Sequence, residues 1–195
     1  MSHDAVFVCA HGAGGHMDDR GMLQAAQALG NAGFDVVRFN FPYVERRSKR
    51  TDPMPVLKEC IAAVAARERG GRRLIIGGRS MGGRAASMLA ADGFDCDGVL
   101  LLAYPLHPAG QPEKLRDAHL QQIRVPVLCF NGTRDELCRR DLMERTLGKL
   151  SWQMHWLEGA GHSFRVKDLK EVEDVSRTWL AGLNAQAARF PARGG

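Results

Sequence analysis

The sequence has no apolar run approaching the roughly 20 residues that a membrane-spanning helix requires, which excludes that class. Its opening residues, MSHDAVFVCAHG, lack the basic-then-apolar pattern of a secretory leader and read as a core strand entering a glycine loop. Five cysteines, Cys9, Cys60, Cys96, Cys129 and Cys138, are odd in number and irregularly spaced, with no CxxC and no Cys/His cluster. That pattern excludes a disulfide framework and a zinc site. It predicts reduced, mostly buried thiols in a cytoplasmic protein.

Neither G-x-x-x-x-G-K-[ST] nor G-x-G-x-x-G occurs, so the phosphate-cradling loops of nucleotide-binding proteins are missing. The formal charge is +5. Part of it is gathered in Glu45-Arg46-Arg47-Ser48-Lys49-Arg50, which reads as a solvated loop, and no aromatic residues interleave with it as single-strand binding would require. The expectations are no metal, no cofactor, no nucleic-acid partner and no membrane insertion.

What is present is an ordinary globular composition, 45% apolar and 25% charged over 195 residues. That suits a single domain spanning 1–195. Apolar runs alternate with stretches of helical period. Strands are predicted at 5–10 (AVFVCA), 34–41 (FDVVRFNF), 73–77 (RLIIG), 96–103 (CDGVLLLA), 125–130 and 152–157. Helices are predicted over about 18–31, 55–69, 81–91, 112–122, 136–150 and 168–188, and the tail 189–195 reads as frayed. Strand–helix alternation implies crossover connections, hence an α/β three-layer sandwich: a mostly parallel, roughly six-stranded sheet with helices on both faces. In such sheets ligands bind beyond the carboxyl ends of the strands, so the loops after the strands are where chemistry is sought.

Four of those loops carry chemistry-bearing residues. After the third strand comes Gly78-Arg79-Ser80-Met81-Gly82-Gly83, a G-x-S-x-G turn into an alanine-rich helix. A serine on such a corner is lifted out of the sheet, and Gly78 and Gly82 leave room for the turn. Met81, first in the helix, can aim its backbone N–H at an oxyanion. After the first strand stands His11-Gly12-Ala13-Gly14-Gly15. An N–H of Ala13, or of Gly14 as second choice, would complete an oxyanion hole, and His11 fixes the loop. After the fifth strand Asp135 can orient an imidazole, with a simple helix N-cap as the alternative reading; Glu136 is a weaker acid candidate. After the sixth strand His162 sits in a glycine loop where its ring can reach over the sheet, with His107 in the proline-rich loop 104–110 as the one rival histidine. Ser80, Asp135 and His162 therefore read as nucleophile, acid and base in the chain order Ser…Asp…His. Arg79, Gly14 and His107 are candidate substrate-binding residues. Arg79 and Arg84 either attract a carboxylate or phosphate or lie in solvent.

HGAGG, GRSMGG, GTRDEL and GAGHSF together resemble the oxyanion loop, nucleophile elbow, acid loop and histidine loop of the α/β-hydrolase family, over nearly the whole chain. FNFPY and YPLHPAGQPEKLRDAHL resemble a narrower, compact dienelactone-hydrolase-like group. That group includes the hydrolase-like domain of a subunit of a histone-acetylating NSL complex and a testis-expressed vertebrate relative. Dienelactone hydrolases proper have cysteine where this chain has Ser80, so their substrate does not carry over. The chain departs from the full family pattern in two ways: the usual first two strands are missing, and no long insertion after the fourth strand forms a lid, so that 104–122 is the only candidate cover and a minimal fold is expected. The resemblance implies an acyl-enzyme mechanism on a small-molecule ester or thioester. The same fold also serves as a non-enzymatic interaction domain, and the same triad serves carbon–carbon hydrolases and acyltransferases.

Overall fold

The computed structural model describes residues 4–189. The chain begins with β1 (Ala5–Ala10), α1 (Arg20–Asn31) and β2 (Asp35–Phe39). A short α2 (Pro42–Glu45), then α3 (Met54–Glu68), leads to β3 (Arg73–Arg79), α4 (Met81–Ala91) and β4 (Gly98–Leu102). A long irregular segment contains one 3-10 turn at Leu120–Gln122 and precedes β5 (Val127–Gly132). The chain then forms α5 (Arg140–Leu147), β6 (Gln153–Leu157) and α6 (Val166–Arg189). The six strands form one sheet in the order β2-β1-β3-β4-β5-β6, parallel at every pairing.

The central strands are apolar at successive positions because both faces are covered. Alternate side chains divide between two cores. Val6 and Val8 of β1, Leu74 and Ile76 of β3 and Val99 and Leu101 of β4 pack with Leu57 and Ile61 of α3 and Ala85 and Ala86 of α4. Phe7, Ile75, Leu100 and Phe130 face the other way, against Met22 and Leu29 of α1 and Val172 and Leu180 of α6. Helices therefore cover both faces, as the alternation predicts, and among the described residues no further domain stands over the carboxyl ends of the strands.

The chain leaves β1 for the edge strand β2 and returns to place β3 on the other side of β1. The loops after β1 and β3 therefore diverge from neighbouring strand ends, and the reversal opens a crevice there.

Two predicted helices are corrected. Residues 112–122 do not form a helix. Arg116 N–H donates to Leu106 O (2.7 Å), and Tyr104 Oη donates to Arg116 O (2.6 Å), so this segment is tied back to 104–106 instead of closing its own turns. The helix predicted over 136–150 starts only at Arg140. Leu137 N–H is taken by Asp135 Oδ1 (2.9 Å) and Arg139 N–H by His107 Nε2 (3.1 Å), which holds residues 135–139 in a turn. The short α2 was not predicted. Pro42 at its first position, where a missing N–H does no harm, starts it. The basic run that follows is exposed, with Arg46 paired to Asp52 at 2.5 Å. Residues 190–195 of the predicted tail lie outside the described residues.

Candidate active site

Ser80 occupies the corner between β3 and α4 with φ 51° and ψ −117°, a conformation that non-glycine residues rarely adopt. The corner is held rigidly. Ser80 N–H donates to Leu102 O (2.9 Å), and Arg84 N–H closes the first helical turn onto Ser80 O (2.9 Å). Gly78 has φ +142°, and a Cβ there would lie 2.1 Å from Ala10 O; one on Gly82 would lie 2.5 Å from His11 O. Only glycine lets the elbow press this closely against the end of β1.

The loop after β5 carries the carboxylate. Asp135 is 4% exposed and accepts hydrogen bonds from Leu137 N (2.9 Å) and Asn131 Nδ2 (3.1 Å). It is not a helix N-cap, because α5 begins five residues later, with Arg139 as its cap. The loop after β6 carries His162. Its Nδ1 lies 3.0 Å from both Asp135 oxygens, and its Nε2 lies 2.9 Å from Ser80 Oγ. The His162 side chain keeps 23% of its exposure while the Asp135 carboxyl is fully enclosed. Three residues from three loops thus form one continuous hydrogen-bonded chain, open to solvent at the serine–histidine end.

The loop after β1 lies alongside. A Cβ on Gly12 would be 3.5 Å from Ser80 Cβ, so this loop passes directly beside the serine. Ala13 and Gly14 are exposed at its crest, Gly14 with φ +71°. His11 is fully buried and anchors the loop. Its Nδ1 lies 2.8 Å from Gly12 O, and its Nε2 accepts Phe41 N–H at 3.2 Å. Burial lowers its pKa, which keeps the ring neutral and able to accept that bond. Met81 begins α4, so its N–H has no carbonyl partner within the helix.

The remaining candidates stand apart from the serine. His107 is 2% exposed, with Nδ1 3.0 Å from Pro108 O and Nε2 accepting Arg139 N–H; both ring nitrogens are engaged by backbone and none is free for a ligand. Glu136 is exposed. Arg79 turns away from the serine and donates to Ser163 Oγ at 2.7 Å. Arg84 has its Nε buried without a hydrogen-bond partner among the described residues. A second serine–histidine contact, Ser87 Oγ to His119 Nε2 at 2.8 Å, lies inside the fold. Ser87 is fully buried in mid-helix and also bonds Arg84 O, so no ligand reaches it.

Sequence reasoning missed Asn131. It is fully buried, takes Tyr104 N–H on its Oδ1 (3.1 Å), and gives its Nδ2 hydrogens to Tyr104 O (3.0 Å) and Asp135. Its signal was a lone amide ending an apolar strand. The thiols take no part. Burial pushes Cys9 up to about 12 and Cys96 to about 11, leaving both protonated and inert. Among the described residues no cluster of three or more histidine, cysteine or acidic side chains could hold a metal ion, and no helix is long and apolar enough to cross a membrane.

The profile of a family described as alpha/beta hydrolase domain matches residues 3–190. An alpha-beta serine hydrolase homologue from Coxiella burnetii superposes with a TM-score of 0.74 at 23% identity, over 91% of this chain and 85% of that one. A serine hydrolase without a lid from Xanthomonas campestris gives 0.74 at 24%, over 92% and 84%. A dienelactone hydrolase from Anabaena variabilis gives 0.71 at 18%, over 91% and 86%. At these identities the structural likeness shows the shared fold.

Proposed function

This chain belongs to the alpha/beta hydrolase domain family, and we propose that it is a serine hydrolase cleaving an ester or thioester of a small molecule. The observation that carries the reading is the relay Asp135–His162–Ser80, with separations of 3.0 and 2.9 Å. The compact fold, in which irregular segment 104–122 is the candidate cover among the described residues, favours a small substrate in an open site. Within the family, the motifs FNFPY and YPLHPAGQPEKLRDAHL favour the dienelactone-hydrolase-like group with its NSL-complex and testis-expressed relatives.

In this mechanism His162, with its Nδ1–H donating to Asp135, takes the Ser80 proton on Nε2 as Oγ attacks the substrate carbonyl. Asp135 holds the imidazole in that tautomer and stabilises the imidazolium. The Met81 and Ala13 N–H groups receive the oxyanion, preorganised by α4 and by the glycine loop. Collapse of the tetrahedral species expels the alcohol or thiol, which takes the proton from His162. Water, deprotonated by the same ring, then releases the acid and restores Ser80. The chemistry uses no cofactor or metal, and the same steps describe an acyltransferase if an alcohol replaces water.

The test is intact-mass measurement after incubation with a fluorophosphonate. The wild type gains one phosphonyl adduct, and Ser80→Ala gains none while keeping its thermal transition. A well-folded wild type that stays unlabelled would overturn the reading and favour an interaction domain. A p-nitrophenyl ester and thioester chain-length series then defines the acyl pocket.

A further inference from the structure

We propose that Tyr43 is a positioning residue for the oxyanion loop: its buried hydroxyl fixes the Ala13–Gly14 peptide and so leaves the Ala13 N–H, not that of Gly14, for the oxyanion. The proposal rests on the serine-hydrolase reading and deepens it. Residues 12–15 form a tight turn, closed by Gly15 N–H donating to Gly12 O (3.2 Å). Gly14, the third residue of the turn, has φ +71°, while Ala13 is not among the residues of positive φ. That is the pattern of a type II turn. Types I and II differ by a flip of the middle peptide, here Ala13–Gly14, and glycine at the third position tolerates both. A Cβ on Gly14 would meet nothing within 4 Å, so no neighbour crowds the residue into place. The orientation of that peptide therefore has to be fixed from outside the turn. The turn also stands at the reacting serine, since a Cβ on Gly12 would be 3.5 Å from Ser80 Cβ.

Tyr43, in α2, is 2% exposed and tied through its backbone on both sides. Its N–H donates to Asp52 Oδ2 (2.8 Å), and Ser48 N–H donates to Tyr43 O (2.8 Å). Its ring stands edge-on to His11 at the root of the glycine loop (centroids 5.9 Å) and stacks on Phe41 (6.4 Å). Phe41 and His11 are themselves joined by a hydrogen bond, so the ring is held where it is. Its Oη is enclosed and, among the described residues, makes no hydrogen bond of ordinary geometry. An enclosed hydroxyl without a partner is a net cost to the fold, which phenylalanine would avoid. The backbone group that faces it is the Gly14 N–H. Burial above all raises the pKa of the hydroxyl, this N–H draws it back, and Asp52 and Asp19 raise it further. The hydroxyl therefore keeps its proton and presents an oxygen lone pair to Gly14. Hydrogen bonds that are long in a free enzyme tighten in the transition state. With the Gly14 N–H turned to Tyr43, the N–H of Ala13 is the one this turn leaves for the oxyanion.

The experiment compares the wild type with Tyr43→Phe, which removes the hydroxyl alone. With p-nitrophenyl butyrate, kcat should fall by about 10-fold with KM little changed. That is less than the loss of about 10²–10³ that follows removal of an oxyanion donor itself, because Tyr43 acts through the loop. The second-order rate of fluorophosphonate labelling should fall by a similar factor, while Tm stays level or rises as the unpartnered hydroxyl is lost. A merely structural hydroxyl gives the opposite pattern, a lower Tm with turnover per folded molecule unchanged. Wild-type kcat and labelling in Tyr43→Phe overturn the proposal and leave the serine-hydrolase reading standing. A second arm needs no turnover. Gly14 is exposed, and exposed loop amides exchange their hydrogen freely. Hydrogen-exchange NMR should nevertheless find the Gly14 amide slowed by about 10-fold in the wild type and released in Tyr43→Phe, with Ala13 fast in both. A Gly14 amide that exchanges alike in the two proteins overturns the contact, whether or not any ester is turned over. A folded wild type that fluorophosphonate leaves unlabelled counts against the serine-hydrolase reading, and the Gly14 amide then decides the contact by itself.

Discussion

Gly132 and Ala160 approach so closely that a Cβ on Gly132 would lie 2.1 Å from the carbonyl oxygen of Ala160. Gly132 is the last residue of β5, and Ala160 lies two residues before His162. Arg134 N–H donates to the same Ala160 oxygen (2.9 Å), and Thr133 N–H to Leu157 O (3.1 Å). These contacts join the acid loop to the histidine loop and set the spacing of Asp135 and His162.

Gly132→Ala should therefore weaken both fold and catalysis. The clash is with backbone, which cannot move aside as a side-chain tip can. Overpacking of this kind costs about 1–3 kcal/mol, or a fall in Tm of roughly 2–12 °C for a chain of this length. Ester turnover should fall further than the loss of folded protein explains, because the two loops separate. Calorimetry with turnover at a temperature where the variant is fully folded checks this; normal turnover there would show that the contact does not set the relay.

Asp135→Asn should leave the geometry nearly intact while lowering kcat by about 10⁴, the order expected when the acid of such a triad no longer fixes the tautomer of its histidine. The carboxyl is enclosed and already receives Leu137 N–H and Asn131 Nδ2. An amide there turns hydrogens towards existing donors, so a stability loss of about 1–3 kcal/mol is also expected. Asn131→Leu removes the donor to Asp135 and both bonds to Tyr104; it should lower Tm by several degrees and kcat more modestly, because Asn131 acts through Asp135. Measuring kcat and Tm on both variants separates the roles.

The main features of the fold were legible because they rest on local rules. Doubly covered parallel strands demand unbroken apolar runs, so 5–10 and 73–77 could be read directly. Gly78 and Gly82 announced the elbow because no other residue fits against β1. The segment 112–122 was misread because its backbone partners, Leu106 and Tyr104, are tertiary. The start of α5 was misplaced for the same reason: nothing in 136–139 signals that Asp135 and His107 take their N–H groups. Asn131 escaped notice because its importance lies in what it touches. Arg79 was noted for its position beside Ser80, but its course under Gly21 towards Ser163 follows from strand alternation and helix placement that only the folded chain supplies.

Ser80→Gly should stabilise the protein while abolishing labelling. A residue held at φ 51° and ψ −117° carries backbone strain of about 1–3 kcal/mol, and glycine removes it. Against this, glycine adds entropy to the unfolded chain, offsetting about 0.5–1 kcal/mol. The net expectation is a Tm increase of roughly 2–4 °C. Ser80→Ala keeps the Cβ and should show little of the gain. Equal melting of all three proteins would mean that the elbow stores no strain.

His119 should make stability depend on pH through a route independent of the active site. Its pKa is lowered from 6.5 to about 4, by burial first and then by the Arg84 charge; Lys58 acts in the same direction, and Asp92 and Asp117 oppose. The folded state thus prefers the neutral ring, which shares a hydrogen bond with Ser87. Above pH 6.5 neither state is protonated at this ring, and its contribution is complete. Between pH 6.5 and 4 the unfolded chain binds a proton that the folded chain refuses, so stability falls with pH across that window and levels off below it. A displacement of that size corresponds to about 3 kcal/mol for a fully enclosed group. The ring is partly exposed and screened by solvent, so about 1 kcal/mol, or roughly 2–4 °C, is expected. Tm measured from pH 7.5 to 4 should therefore fall more steeply for the wild type than for His119→Gln, whose amide can bond Ser87 without titrating. Parallel curves would show that the ring takes up its proton freely in the folded state.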